Sequence, residues 1–189
     1  LARAADALGE TNLRLANLLQ LQHNMSADLY VDKTLTRAKL IVLRLLGGAG
    51  YWRYGLDQVE ALARANAIAL CVLPGDSNAD PELVTHSTLA PHHCERLRHY
   101  LVAGGSANTE AFLAYCRHLT SNSAEPQPAA AFASSGTYRS THDPQRPLAA
   151  LIFYRSVVEG ALTAPVDAMI DALGARGLGC TALFVASLK

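Results

Sequence analysis

The segment from Lys39 to Leu46 (KLIVLRLL) is apolar at nearly every position, and Leu56, Val59, Leu62 and Ala63 then repeat at helical spacing. A strand without hydrophobic alternation is buried on both faces, which is the condition of a parallel sheet covered by helices. Between strand and helix lies Leu46-Gly47-Gly48-Ala49-Gly50-Tyr51-Trp52-Arg53-Tyr54-Gly55, a junction that combines flexible backbone, three aromatics and one cation. It occupies the carboxyl end of a strand, where open α/β sheets bind ligands.

The rest of the chain repeats the alternation. A short helix opens it (Leu1 to Leu8), and the leucines between Asn12 and Leu21 predict a strand that ends in the Gln22-His23-Asn24 turn. Ser26 is placed as an N-cap, with Asp28 in the first turn and Val31, Leu35 and Ala38 as the apolar stripe of a second helix. Ala67 to Leu73 is a further buried strand, closed by Pro74-Gly75-Asp76. Two helices follow, from about Pro91 to Val102 and then around Phe112, Leu113, Cys116 and Leu119, with Gly104-Gly105 between them.

Residues 121–147 are rich in Pro, Ala and Ser and lack apolar periodicity, so they are assigned to a linker or long loop between residues 1–120 and residues 148–189. The last segment gives a strand at Leu148–Tyr154, a helix opened by Thr163-Ala164-Pro165 and closed at Gly177, and a strand at Cys180–Val185. The expected fold class is α/β. A parallel, helix-covered, flavodoxin- or Rossmann-like sheet carries appended helices, and a β-α-β start of a second α/β unit follows.

Composition narrows the partners. Sixteen basic residues balance sixteen acidic ones, which leaves no long-range field to draw the chain to phosphate backbones or anionic lipid, and nucleic acid is not expected as a partner. No apolar run reaches bilayer length and no signal sequence opens the chain, so neither a membrane nor export is expected. Cys71, Cys94, Cys116 and Cys180 lie far apart with no Cys-x-x-Cys pair, Cys71 and Cys180 in apolar strands and Cys116 on the apolar face of a helix, which implies free buried thiols and a reducing, cytoplasmic setting. The run begins at Leu1 without methionine and stops directly after a strand, the ends expected of a fragment.

The candidate chemistry is sparse. The glycines at 47, 48 and 50 lack both the Gly-Lys-Ser/Thr ending of a phosphate loop and the third glycine of a dinucleotide site, so they form a tight turn. Tyr51, Trp52, Arg53 and Tyr54 have the chemistry of a flat, partly cationic surface for a planar macrocycle bearing carboxylates, or else they anchor the helix, and anchoring is the commoner role of junction aromatics. Arg155 and Glu159 are placed in the loop after a strand's carboxyl end, with Arg155 contacting a ligand or another domain, or else in an interdomain ion pair. His86, His92, His93, Cys94 and His99 crowd one region, yet their spacing matches no standard zinc pattern, and no metal site is assigned.

The pattern Gly47-Gly48-x-x-Tyr51-Trp52-x-Tyr54-Gly55 resembles the N-terminal part of the large (CobN-type) subunit of cobaltochelatase. So do Gln22-His23-Asn24-Met25-Ser26, Leu73-Pro74-Gly75-Asp76, Phe153-Tyr154-Arg155, the Thr163-Ala164-Pro165 helix start and the closing Phe184 to Lys189, in that order. The resemblance covers most of the chain; the alanine-rich Ser121 to Pro147 region departs from it. It implies a tetrapyrrole-binding subunit of an ATP-dependent complex related to magnesium chelatase. Cobalt ion would be a substrate, hydrogenobyrinic acid a,c-diamide the macrocycle, and cobalamin synthesis the pathway. It implies as partners the remaining domains of the same subunit, an AAA+ motor subunit that hydrolyses ATP, and its companion. Tyr51, Trp52, Arg53, Tyr54 and Arg155 are then the ligand-binding candidates. No catalytic residue, metal ligand or bound cofactor is assigned to this part, which is expected to be inactive alone. A magnesium-chelatase-like subunit and a stand-alone α/β ligand-binding or regulatory module are the alternatives.

Overall fold

The computed structural model describes residues 1–188 and divides into two compact units, one of residues 1–102 with 109–129 and one of residues 103–108 with 130–189. Lys189, the last residue of the closing block, lies outside the described residues.

The first unit is built on two parallel strands, β1 (Leu40–Leu45) and β2 (Ala69–Pro74), paired in register from Leu40 with Ala69 to Leu45 with Pro74. Both faces are covered, as the unbroken apolar strands require. On one face Ile41, Leu43, Leu45, Leu70 and Val72 pack against Ala27 of α2 (Asn24–Lys33) and against Leu56, Val59 and Ala63 of α3 (Arg53–Ala65). On the other, Cys71 and Leu73 meet Ala4 and Ala5 of α1 (Ala2–Ala7). They also meet Cys94, Leu97 and Tyr100 of α5 (Pro91–Ala103) and Phe112 and Leu113 of α6 (Gly105–Ser121).

The outer edge of β2 is closed without a third strand. After α4 (Pro81–Thr85), Ser87 Oγ accepts from the Val72 amide (2.9 Å) and Thr88 Oγ1 from that of Leu70 (2.8 Å). The amides of Thr88 and Leu89 both donate to Leu70 O. Side-chain oxygens thereby satisfy backbone donors that an edge strand otherwise leaves open.

The second unit holds a mixed sheet in the order β3-β5-β4, from Ser135–Ser140, Gly179–Val185 and Leu148–Tyr154. Strand β4 runs parallel to β5 and β3 antiparallel to it. The short helix α7 (Arg155–Glu159) follows β4, and α8 (Ala164–Ala175) lays Val166 and Ile170 on Cys180 and Ala182. Residues 103–108 join this unit through Asn108, which is buried; its amide donates to Gly104 O and Ala130 O (both 2.8 Å), and its Oδ1 accepts from the Ala130 amide (2.9 Å). Between α5 and α6, Gly104 and Gly105 both adopt positive φ (69° and 80°), a break that side-chain-bearing residues resist.

The α/β class and the parallel, helix-covered β1-β2 pair match expectation; several local elements do not. No strand forms between Asn12 and Leu21. Asn17 accepts from the Leu19 amide (3.0 Å) and starts a 3-10 turn over Leu18–Leu21, a local side-chain bond that competes with strand pairing. Ser26 is not a cap, because α2 begins at Asn24 with His23 before it and no side-chain cap bond; Asp28 therefore lies past the first turn and receives a bond from the Tyr54 hydroxyl instead. Within the segment assigned to a linker, Ser135–Ser140 form β3. Its partner residues in β5, from Ser140 with Thr181 to Ser135 with Val185, lie 41 to 50 positions away, so pairing that no local pattern announces decides the strand.

Candidate functional site

The junction after β1 is built around Trp52. Its ring is buried, 6% exposed, and Nε1 donates to Leu21 O at 2.7 Å. Gly55 lies so close to the indole that a Cβ built there would stand 2.1 Å from ring carbons, so only glycine admits the ring in this position. Tryptophan and glycine at 52 and 55 are thus one packing unit, which clamps the start of α3 to the turn before α2.

Its neighbours point elsewhere. Arg53 pairs with Asp57 one helical turn on (3.0 Å), on the exposed face of α3. Tyr54 donates its hydroxyl to Asp28 Oδ1 (2.8 Å), and that bond raises the phenol above its ordinary range. Tyr51 is 44% exposed and lines an open hollow of about 540 Å³ with Leu15, Leu18, Leu19, Leu46 and Arg44. Arg44 donates to Gly75 O (2.7 Å), holding the turn after β2 beside the end of β1. The hollow therefore sits at the carboxyl ends of the parallel strands, with leucines and a tyrosine for walls and a guanidinium on its rim. Leu15, Leu19 and Arg44 carry no sequence signal for this hollow, because the leucines have the pattern of a strand and Arg44 lies inside one.

Arg155 and Glu159 do not lie in a loop. They occupy the helical turn α7 and pair with each other across it (3.0 Å), while Arg155 Nη1 also reaches Phe132 O (3.4 Å). The pair is therefore local to one helix, a geometry worth only a few tenths of a kcal/mol.

The histidines take separate partners. His86 Nδ1 meets Glu60 Oε2 (2.6 Å), His99 Nε2 meets Glu95 (2.8 Å), and His93 Nδ1 meets the Tyr115 hydroxyl (2.7 Å). Among the described residues no three His, Cys, Asp or Glu side chains converge as metal donors. Burial opposes ionisation of Glu60, but the bonds from His86 and Arg64 outweigh it and hold the carboxyl below its usual range.

Around Tyr115 a small network forms. The Arg96 guanidinium lies over the ring at 4.7 Å from its centroid, donates to Tyr100 Oη, and reaches Glu125 and the Pro126 carbonyl. Burial, with the charges of His92 and His118 beside it, lowers the pKa of His93. A histidine so depressed contributes stability that is complete above its unfolded value of about 6.5 and lost as pH falls through the folded one. The melting temperature is expected to drop from pH 7 to pH 5, and His93→Gln should flatten that drop by up to about 1.4 kcal/mol per pH unit. Thermal melts of both proteins across this range check it; identical slopes contradict it.

The four cysteines are free. Cys94 Sγ donates to Leu89 O (3.7 Å), and the neighbouring Cys94 sulfur together with burial pushes the Cys71 thiol well above its ordinary range. Burial pushes Cys116 up to about 12. Cys94 is 1% exposed, so no reactant in solution reaches it in the folded state.

Comparison with known proteins assigns this architecture. The family model for CobN/magnesium chelatase matches residues 98–189. The aerobic cobaltochelatase subunit CobN of a Sinorhizobium species is 38% identical over 96% of the chain, and that of Pseudomonas aeruginosa is 39% identical over all of it. The chain belongs to the CobN/magnesium chelatase family. The solved catalytic subunit of cobaltochelatase from Mycobacterium tuberculosis superimposes on 98% of the chain with a TM-score of 0.79 and 26% identity. The chain spans 16% of the length of each curated CobN relative and 15% of that solved subunit. In this CobN-family chain the Gly47 to Gly55 pattern has a packing role, because the buried Trp52 indole lies against Gly55. No helix among the described residues is long and apolar enough to cross a membrane.

Proposed function

We propose that this chain is an N-terminal segment of the large subunit of an ATP-dependent cobaltochelatase that inserts cobalt into hydrogenobyrinic acid a,c-diamide, a step of cobalamin synthesis in the cytoplasm. The observation that carries the reading is the 38–39% identity to two CobN subunits across nearly the whole chain. An AAA+ motor subunit and its companion supply ATP hydrolysis, and cobalt ion is a substrate.

Insertion must seat the ion among the ring nitrogens and remove the inner N–H proton of the corrin, which takes a base and metal donors gathered in one enclosed cavity. We place that set in the remainder of the subunit and give this segment a binding and scaffolding role. Of the ligand candidates, Tyr51 has the geometry for contact. It lines the hollow at the strand ends, where leucines suit the edge of a macrocycle and Arg44 suits a peripheral carboxylate. Trp52 holds this wall in place from beneath.

The test is the complete subunit reconstituted with motor and companion subunits, supplied with cobalt, the corrinoid acid and ATP. Cobalt insertion is expected only with all components, while the 189-residue chain alone gives no more than the uncatalysed rate. Tyr51→Ala is expected to raise the KM for the corrinoid by up to about tenfold at unchanged ATP hydrolysis. Insertion of magnesium instead of cobalt would overturn the reading, and an unchanged KM would remove Tyr51 from the ligand surface.

A further inference from the structure

The sheet of the second unit has one finished face and one bare one. Helix α8 covers the side that carries Cys180, Ala182 and Phe184, and Arg139 reaches over to Asp171 of α8 (3.1 Å). On the opposite side, β4 presents Leu148, Ala150, Ile152 and Tyr154, all exposed; Leu148, Ile152 and Tyr154 are 53%, 51% and 54% accessible. Register places Thr181, Leu183 and Val185 of β5 beside Ala150, Ile152 and Tyr154 on this face, and Ser140, Thr137 and Ser135 of β3 beyond them. No charged residue stands among these positions. Solvent-facing sheet surfaces carry alternating polar and charged side chains, and parallel strands occur almost only where both faces are covered.

The edges of the same sheet say how it is completed. Strand β3 occupies the outer side of β5, whereas among the described residues β4 has no strand on its other side. A further strand running in the direction of β4 and β5 pairs in parallel only beside β4, since beside β3 it would be antiparallel. The connection from β4 through α8 to β5 runs across the sheet in one direction and lays its helix on one face. A connection from β5 back past β4 runs in the opposite direction. Right-handed crossovers dominate overwhelmingly, and reversing direction under a fixed hand moves the helix to the opposite face. That face is the bare one.

We propose that the part of the subunit following β5 contributes a helix that lies across Leu148, Ile152 and Tyr154 and a strand that pairs in parallel with the free edge of β4. This turns the second unit into a doubly wound sheet. It rests on the family reading in one respect: the relatives are long enough to supply the missing elements, since the chain spans only 16% of each. A consequence follows for Arg155. Strand order reverses between β4 and its new neighbour, so a switch-point crevice opens at the carboxyl end of β4, where Tyr154 and Arg155 stand.

The test uses the complete subunit, with a photo-crosslinking amino acid in place of Ile152 and mass spectrometry to map the product. A crosslink within the same polypeptide, to sequence after residue 189, is expected. A crosslink to a second copy or to another subunit, or none at all, overturns the proposal. As a milder second variant, Ile152→Cys in the complete subunit should react with a thiol reagent at least about tenfold more slowly than Met169→Cys, on the exposed side of α8. Equal rates overturn it as well. Neither readout depends on which metal or macrocycle the enzyme takes, so the proposal and the cobalt assignment fail separately.

Discussion

Replacing Trp52 by alanine is expected to lower the unfolding free energy of the chain by about 3–5 kcal/mol, the range for removing a buried aromatic from a close-packed site. Two features of the site favour the upper end. Gly55 sits against the indole, so no side chain stands ready to collapse into the space left by the ring. The Leu21 carbonyl also loses its Nε1 donor, and a buried acceptor without a partner adds about 1–3 kcal/mol unless water reaches it. Tyr51→Ala, one residue away on an exposed side chain, is the control and should stay within about 0.5 kcal/mol of the parent. Urea unfolding followed by circular dichroism measures both. A loss at Trp52 below about 1 kcal/mol would show that the ring is not the clamp described here.

The second large effect is expected at Asn108, a site with no aromatic ring. Its side chain makes three hydrogen bonds, two of them with the backbone of Ala130, and only 6% of the residue is exposed. Asn108→Leu keeps the approximate volume and removes all three; Ala130 is itself exposed, so water can take over its N–H and C=O, and the loss is that of the bonds themselves. At about 0.5–1.5 kcal/mol net for each bond, the expected cost is roughly 1.5–4 kcal/mol. Hydrogen exchange gives the site-specific reading: the Ala130 amide should lose its protection, while amides of β1 and β2 keep theirs. Unchanged exchange at Ala130 would mean that Asn108 does not hold this segment.

These two residues also mark what could and could not be anticipated. Strands β1, β2, β4 and β5 and helices α3, α5, α6 and α8 were legible, because each carries its own periodicity or an unbroken apolar run of the right length. The Gly47 to Gly55 junction announced itself as special, and anchoring was the preferred role for its aromatics; the buried Trp52 agrees with that role. The hollow beside it was not legible. It joins Leu15 and Leu19 with Leu46 and Tyr51, residues roughly thirty positions apart, and nothing in the spacing of either group points to the other. Arg155 and Glu159 do not form the expected interdomain ion pair; they pair with each other, and their i,i+4 spacing is the available signal for the helical turn they form.

By itself, then, the sequence determined the class of the fold and the family of the chain. Uninterrupted apolar strands must be sheathed by helices, and the glycine and aromatic residues of one tight junction are specific enough to resemble a single family. Tertiary structure alone decided the rest. Strand β3 exists because β5 offers it hydrogen bonds, and Asn108 matters because Ala130 reaches it. Tyr51 was placed in the hollow because its neighbour Trp52 is drawn inward to Leu21 O. Each depends on contacts between residues distant in sequence, whose free energy arises only once the chain has closed the loops between them and so leaves no local pattern in the amino acids themselves.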